Sequence, residues 1–280
     1  MTDETTPLRE QVDRSGYAFN LGVAAKIQSS SSSQKWRLGA VEVPWSAPLG
    51  KGGSFVDITI NRDCAIGVIE CKKVNNGERL IFLMKAGQTD NVGRCRLDVY
   101  EQELHAPGIM PAQFEDRYGT AECTMVTGSP ESAYCVARKG NQSANLNLDS
   151  IASGLLAACE GLLGDWDIKL PGDPTACIPI VCTNAQLFTC TFDPAEMDLG
   201  TGDLPEGATF KPVEFVRFRK AFRQRAGLET VDEKDIAGAV IEGERTVFVV
   251  DSRHLVKFLA SLRQLNVPWS GGQRLLVSGD

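Results

Sequence analysis

A chain of 280 residues can bury one large core, or one domain with a substantial appendage, without covalent staples. Its 42% hydrophobic and 23% charged residues are those of an ordinary globular protein, which excludes wholesale disorder, collagen and coiled coil. A formal charge of −7 argues against a surface that coats nucleic acid non-specifically, while leaving room for one local basic groove.

The longest apolar runs, such as Val247–Val250, fall far short of the roughly 20 residues that a membrane-spanning helix needs, so no membrane partner is expected. Residues 1–10, MTDETTPLRE, are acidic and polar and lack the basic-then-apolar order of a secretory signal, so a cytoplasmic location is expected. The nine cysteines include no CxxC pair, and several sit in apolar runs such as Ala176-Cys-Ile-Pro-Ile-Val-Cys182. Buried reduced thiols are therefore expected rather than a disulfide framework or a zinc site. Two histidines, His105 and His254, are too few for a His-rich zinc centre.

Phe19, Val23 and Ile27 recur at helical spacing and predict a helix over 17–28, ended by the serine run Ser29–Ser33, which reads as a turn. Residues 39–45 read as a short strand that Pro44 pushes to a sheet edge, and 47–54 as a loop with three glycines. The β-branched runs Phe55–Asn61 and Ala65–Lys73, separated by Arg62-Asp63-Cys64, predict a hairpin. Arg79–Met84, after a turn at Asn75-Asn-Gly77, would extend it to a three-stranded meander. Residues 85–129 carry no clear period, and no element is assigned there beyond a predominance of loop or irregular structure. Pro130–Ala137 reads as a strand.

Leu148, Ile151, Leu155, Leu156, Cys159, Leu162 and Leu163 form the apolar stripe of a long helix, with Asn147, Asp149 or Ser150 as its cap. Ala176–Cys182 and Gln186–Phe192 read as a second hairpin around Thr183-Asn184-Ala185, and 197–212 as a connection. Val213–Phe218 and Thr246–Val250 read as strands. A last helix follows, capped by Asp251 or Ser252, with Leu255, Phe258, Leu259 and Leu262 on one face. Gly271-Gly272 and the tail read as a frayed end. This mixed order predicts an α/β or α+β fold with helices on a twisted sheet.

The chemistry gathers on the first hairpin. Side chains alternate along a strand, so Glu70 and Lys72 share one face while Cys71 points to the other, and Asp57 can lie across from Glu70. Two carboxylates and an ammonium interrupting apolar strands are costly unless paired or bound to metal. Two carboxylate oxygens suit Mg²⁺ with its remaining positions left to water and substrate, and the carbonyl of Cys71 can add a ligand. A lysine beside them can orient a water or offset developing charge. The same alternation also describes an ordinary amphipathic strand whose Lys72 forms a salt bridge with Asp57 or Glu70.

Gly53-Ser-Phe-Val-Asp57 followed by Val68-Ile-Glu-Cys-Lys72 resembles the PD-(D/E)xK nuclease superfamily, the restriction-endonuclease-like fold. Residues 178–187, 213–219 and 245–250 are similar to segments of uncharacterised bacterial proteins with such a core. The resemblance implies a central mixed sheet flanked by helices over residues 1–192, with 193–280 as an extension packed on it. It further implies Asp57, Glu70 and Lys72 as catalytic residues, with Asp57, Glu70 and Cys71 holding Mg²⁺ or Mn²⁺. The implied activity is hydrolysis of nucleic-acid phosphodiester bonds, DNA before RNA, in restriction or anti-phage defence, by a homodimer or within a larger defence complex. Many branches take a further acidic ligand from the preceding helix. Here that helix offers Asn20, and Glu42 is the other candidate, so a catalytically degenerate nucleic-acid-binding or assembly module is the alternative.

Arg217-Phe-Arg-Lys-Ala-Phe-Arg-Gln-Arg225 is the second feature, because five basic residues at this density in an acidic chain can neutralise phosphates. Arg217, Arg219, Lys220, Arg223 and Arg225 are its candidates for nucleic-acid binding. A helix start with Phe218 and Phe222 facing the core reads equally from the same residues. Lys51, among Gly50, Gly52 and Gly53, is a further candidate phosphate contact, although the loop does not spell a P-loop.

Overall fold

The fold is described by a computed structural model over residues 5–46, 53–74, 77–87, 93–105, 113–125, 128–137, 147–165, 175–222, 243–262, 265–269 and 272–275. The two β-branched runs form the expected hairpin, β2 (Gly53–Arg62) and β3 (Ala65–Lys72), closed by a two-residue turn in which Asp63 adopts φ 45°. Strand β1 (Arg37–Ser46) pairs antiparallel with β2 and lies at the sheet edge, where Pro44 is tolerated. The third strand of the meander is therefore β1.

Strand β4 (Arg79–Lys85), expected in that position, instead joins a second, four-stranded sheet of order β11 (Thr209–Val213), β10 (Gln186–Phe192), β4 and β8 (Cys135–Ala137). There β10 and β4 are parallel, Phe188 facing Ile81 and Cys190 facing Leu83. The second expected hairpin is likewise undone. Strand β9 (Thr175–Thr183) is buried from Ala176 onward and sits mid-sheet, parallel to β3 with Glu70 facing Val181. A strand apolar on both faces needs neighbours on both sides and leaves β10 to the other sheet.

The core order β1-β2-β3-β9 is thus mixed, with the long helix α3 (Leu148–Asp165) falling between β3 and β9 in sequence. Beyond β9 the large sheet forks. Strand β13 (Glu244–Asp251) runs parallel along Ile180–Thr183, and β5 (Gly93–His105) runs antiparallel along Thr175–Cys177. Strand β12 (Phe215–Ala221) pairs with β13, and the short β7 (Glu131–Ser132) pairs with β12. Among the described residues this sheet holds eleven strands.

Residues 85–129, in which the sequence pattern assigns no element, contain β5 and its long antiparallel partner β6 (Gln113–Met125). Their period is masked because Asp98, buried between Leu97 and Val99, is neutralised by Arg245 at 2.5 Å rather than exposed. Residues 130–137 split into two short strands in different sheets, and Gly272 starts β15 (Gly272–Leu275), which pairs with β14 (Asn266–Trp269) instead of fraying.

Four α-helices are described. Helix α1 (Thr5–Ser15), which the periodicity does not announce, buries no residue, while α2 (Tyr17–Gln34) continues through the serine run to Gln34. Ser29 and Ser30 donate back to the Lys26 carbonyl and Ser33 to that of Ser30, so bonds that favour turns elsewhere are absorbed within the helix. Gln34, wholly buried, bonds the Ile27 carbonyl, and Lys35 at φ 66° ends the helix.

Two core layers result. On one side of the sheet, Val23 and Ile27 of α2 and Phe258 of α4 (Leu255–Ser261) pack against Ile58, Ile60, Ile69 and Ile180. On the other, Leu155, Leu156 and Cys159 of α3 pack against Val56, Val68, Val181 and Val249. Each fully buried Ile or Val contributes roughly 1.5–3 kcal/mol over its exposed state. Buried Trp36 donates its indole N–H to the Leu259 carbonyl at 3.0 Å and fixes the end of α2 against α4. The Asn147 side chain caps α3 through the Ser150 N–H at 3.2 Å.

Candidate functional site

The regular pairing of β2 with β3 runs from Arg62↔Ala65 to Ile58↔Ile69 and ends there, one residue short of Asp57 and Glu70. At that point β2 is irregular. Val56 packs into the layer of α3 and Ile58 into the layer of α2, although residues two apart on a regular strand face the same way. On the neighbouring strand Glu42, bracketed by the pairs Val41↔Ile58 and Val43↔Val56, takes φ 54°, a costly conformation for a residue with a Cβ.

The Asp57 carboxylate is held at both oxygens. Oδ1 accepts from Nδ2 of Asn20 on α2 at 2.8 Å, and Oδ2 accepts from the backbone N–H of Cys71 at 2.7 Å. Asn20 therefore turns its amide donor toward Asp57 and orients that carboxylate. Glu70 and Lys72 share one face of β3, with Lys72 Nζ 2.6 Å from Glu70 Oε1; the two side chains are 22% and 35% exposed, within reach of solvent. Just beyond, Val74 and Asn184 form a reciprocal pair: the Val74 N–H donates to Asn184 Oδ1 at 2.6 Å and Asn184 Nδ2 donates to the Val74 carbonyl at 2.9 Å. This latch fixes the end of β3.

Burial pushes the Asp57 carboxyl above the usual carboxylate range against the Cys71 N–H, the Lys72 charge and the Asn20 amide, which favour the charged form, while the Glu42 charge pushes it further up. Burial also raises Glu70, opposed by its bond to Lys72 and reinforced by the charge of Asp57. Asp57, Glu70 and Lys72 thus lie within one another's fields. Two partly desolvated carboxylates, one of them raised by the charge of the other, form a site whose negative charge a cation relieves. Among the described residues no group of three or more His, Cys, Asp or Glu side chains converges as a metal site. Mg²⁺ is commonly bound through one or two carboxylates with waters completing its shell, so these residues fit the ion.

The Cys71 side chain points into the layer of α2 and meets Cys182, which together with burial raises its thiol pKa. Only its backbone faces Asp57. All nine thiols are free, eight of them buried, as the spacing predicts.

The basic segment requires correction. Residues 215–221 form strand β12, and Arg217 is 2% exposed, its guanidinium donating to Ser129 Oγ at 3.0 Å, to the Ser129 carbonyl at 2.7 Å and to the Arg94 carbonyl, with Glu131 at 3.0 Å. It is a core residue, because a buried guanidinium is stable only when its donors are spent on acceptors. Arg219 pairs with Glu131 and Glu244, and Lys220 with Asp149. Lys51, Arg223 and Arg225 lie outside the described residues. Sequence reasoning missed the Asn184 latch and the strained backbone of Glu42. The turn motif Thr183-Asn184-Ala185 was the sole signal for the first.

No protein-family model matches the chain, and neither a curated protein nor a solved structure matches it.

Proposed function

We propose that the chain is a divalent-metal-dependent nuclease in which Asp57 and Glu70 hold Mg²⁺ or Mn²⁺, with the Cys71 carbonyl as a further oxygen ligand. When bound, such a cation lowers the pKa of a water and neutralises charge at a phosphorus. Asn20 and the Cys71 N–H fix the Asp57 carboxylate in one orientation. Lys72, held at Glu70, donates to the attacking oxygen or to the charge that develops on the phosphoryl group. The observation that carries the reading is that Asp57, Glu70 and Lys72 stand within one another's electrostatic reach where the β2–β3 pairing ends, charged groups interrupting the apolar runs of two neighbouring strands. The mixed order β1-β2-β3-β9 with helices on both faces agrees with the restriction-endonuclease-like fold that the motif implies. DNA as substrate, and a role in restriction or defence, rest on the resemblance alone.

One observation favours a second reading. The helix position that supplies a carboxylate in many relatives of such a fold is Asn20, whose amide neutralises part of the Asp57 charge and adds none. A site of this kind can grip nucleic acid without cutting it. Plasmid, linear duplex and single strands incubated with Mg²⁺ or Mn²⁺ separate the two. Cleavage by the wild type, reduced on the order of 10²–10³-fold in Lys72→Ala and in Asp57→Asn, supports the nuclease. Binding that persists without any cleavage supports the module.

A further inference from the structure

Four aromatic side chains among the described residues stand more than half exposed: Tyr17 and Phe55 at 64%, Tyr134 at 68% and Phe210 at 54%. Two of the four lie on the segments that carry the Asn20–Asp57 contact. Phe55 precedes Asp57 by two residues on β2, roughly 7 Å along the strand. Val56 between them packs toward α3, so Phe55 stands on the opposite side, the side from which α2 approaches. Tyr17 precedes Asn20 by three residues on α2, which sets it about 60° around the helix from the amide that meets Asp57. Leu21, 62% exposed, lies beside Tyr17 one turn on.

A large ring left in water forgoes the burial that the core offers elsewhere, and two such rings on the segments that Asn20 and Asp57 join call for an occupant. A base pair within a duplex presents no free π-face. An unpaired base presents two, and stacking on a protein ring tolerates any base. Lys72, the charged group of the site that solvent reaches most readily, acts electrostatically on Asp57 and can meet a phosphate of such a strand at the end of β3.

Building on the nuclease reading, we infer that Phe55 and Tyr17 form a stacking platform for unpaired bases, and that the substrate is a single-stranded or frayed nucleic-acid strand rather than an intact duplex. Bases resting on the two rings set the position of the strand, and the phosphate next to the stacked bases is the one delivered to Asp57, Glu70 and Lys72.

The test uses end-labelled oligonucleotides of one sequence, as single-stranded DNA, single-stranded RNA, blunt DNA duplex and a duplex with a single-stranded flap. Binding is followed by fluorescence anisotropy in the cleavage-blocked background Lys72→Ala, and cleavage with Mg²⁺ in the Lys72 protein. The platform predicts tighter binding of single strand and flap than of blunt duplex. It also predicts a loss of roughly tenfold in single-strand affinity for each of Phe55→Ala and Tyr17→Ala, with Phe55→Trp restoring it. In cleavage the loss falls on KM rather than kcat. Equal affinity for blunt duplex and single strand, or Ala variants that bind the single strand like their parent, overturns the platform even if the enzyme cuts duplex. Absence of cleavage of every substrate overturns the nuclease reading and leaves the anisotropy result to decide the platform by itself. The DNA and RNA arms identify which sugar the strand carries.

Discussion

Asn20 and Asp57, thirty-seven residues apart in sequence, are joined by a 2.8 Å hydrogen bond that ties helix α2 to the irregular point of strand β2. The amide satisfies one carboxylate oxygen without bringing charge, which distinguishes this site from one built around a third acid. Asn20→Asp should therefore set two carboxylates against each other. In metal-free buffer this should cost on the order of 1–3 kcal/mol of stability, recovered on adding Mg²⁺. Thermal unfolding with chelator and with Mg²⁺ measures it, and a variant whose midpoint does not respond to Mg²⁺ would show that no cation enters between these groups.

Asp98 and Arg245 form a nearly inaccessible ion pair across β5 and β13, with side chains 2% and 1% exposed. Removing one partner leaves the other charge buried, so Asp98→Ala should lose about 3–5 kcal/mol. Replacing both, as Asp98→Leu with Arg245→Met, should recover most of that loss. Urea denaturation of the two variants provides the comparison, and equal losses in both would contradict the account.

Two glycines of helix α3 should respond to alanine with opposite sign. A Cβ at Gly161 would lie 2.6 Å from the Ser46 carbonyl oxygen and 3.0 Å from Trp45 Cε3, where the β1 backbone cannot withdraw cheaply, while one at Gly154 meets nothing within 4 Å. Gly161→Ala should destabilise by about 1–3 kcal/mol despite alanine's better helix propensity. Gly154→Ala should stabilise by about 0.5–1 kcal/mol through that propensity. Chemical denaturation midpoints read both signs.

Thiol ionisation should weaken the fold only at alkaline pH. Burial pushes the Cys135 thiol from the ordinary 9.0 up to about 12; Cys95 is also raised, by its contact with Cys123 and then by burial, and Cys159 by burial and its contact with Cys177. Below pH 9 these groups are protonated in both states and contribute no pH dependence. Above it the unfolded chain releases protons that the folded chain retains, so stability falls as pH rises from about 9 toward 12. Denaturation midpoints across that range should fall less in Cys135→Ala than in the wild type. In the native protein at pH 8, a thiol reagent should find few reactive groups until denaturant is added.

The candidate site was legible where its information is local. Asp57, Glu70 and Lys72 stand out because charges interrupt β-branched runs, and strand alternation assigns Glu70 and Lys72 to one face without reference to any other part of the chain. Arg217 was misread for the complementary reason. Its neighbours in sequence are basic, but the acceptors that bury it, at Ser129, Glu131 and Arg94, come from distant segments.

The amino-acid order by itself determined the hairpin of β2 and β3 and the apolar stripe of α3, because periodicity and β-branching act within a few residues. Only the tertiary structure decided that β9 and β10 part into different sheets, that the serine run stays helical and that Asn20 clasps Asp57. Those outcomes depend on which non-local partner offers burial or a hydrogen bond, and a choice among partners remote in the chain leaves no local pattern to read.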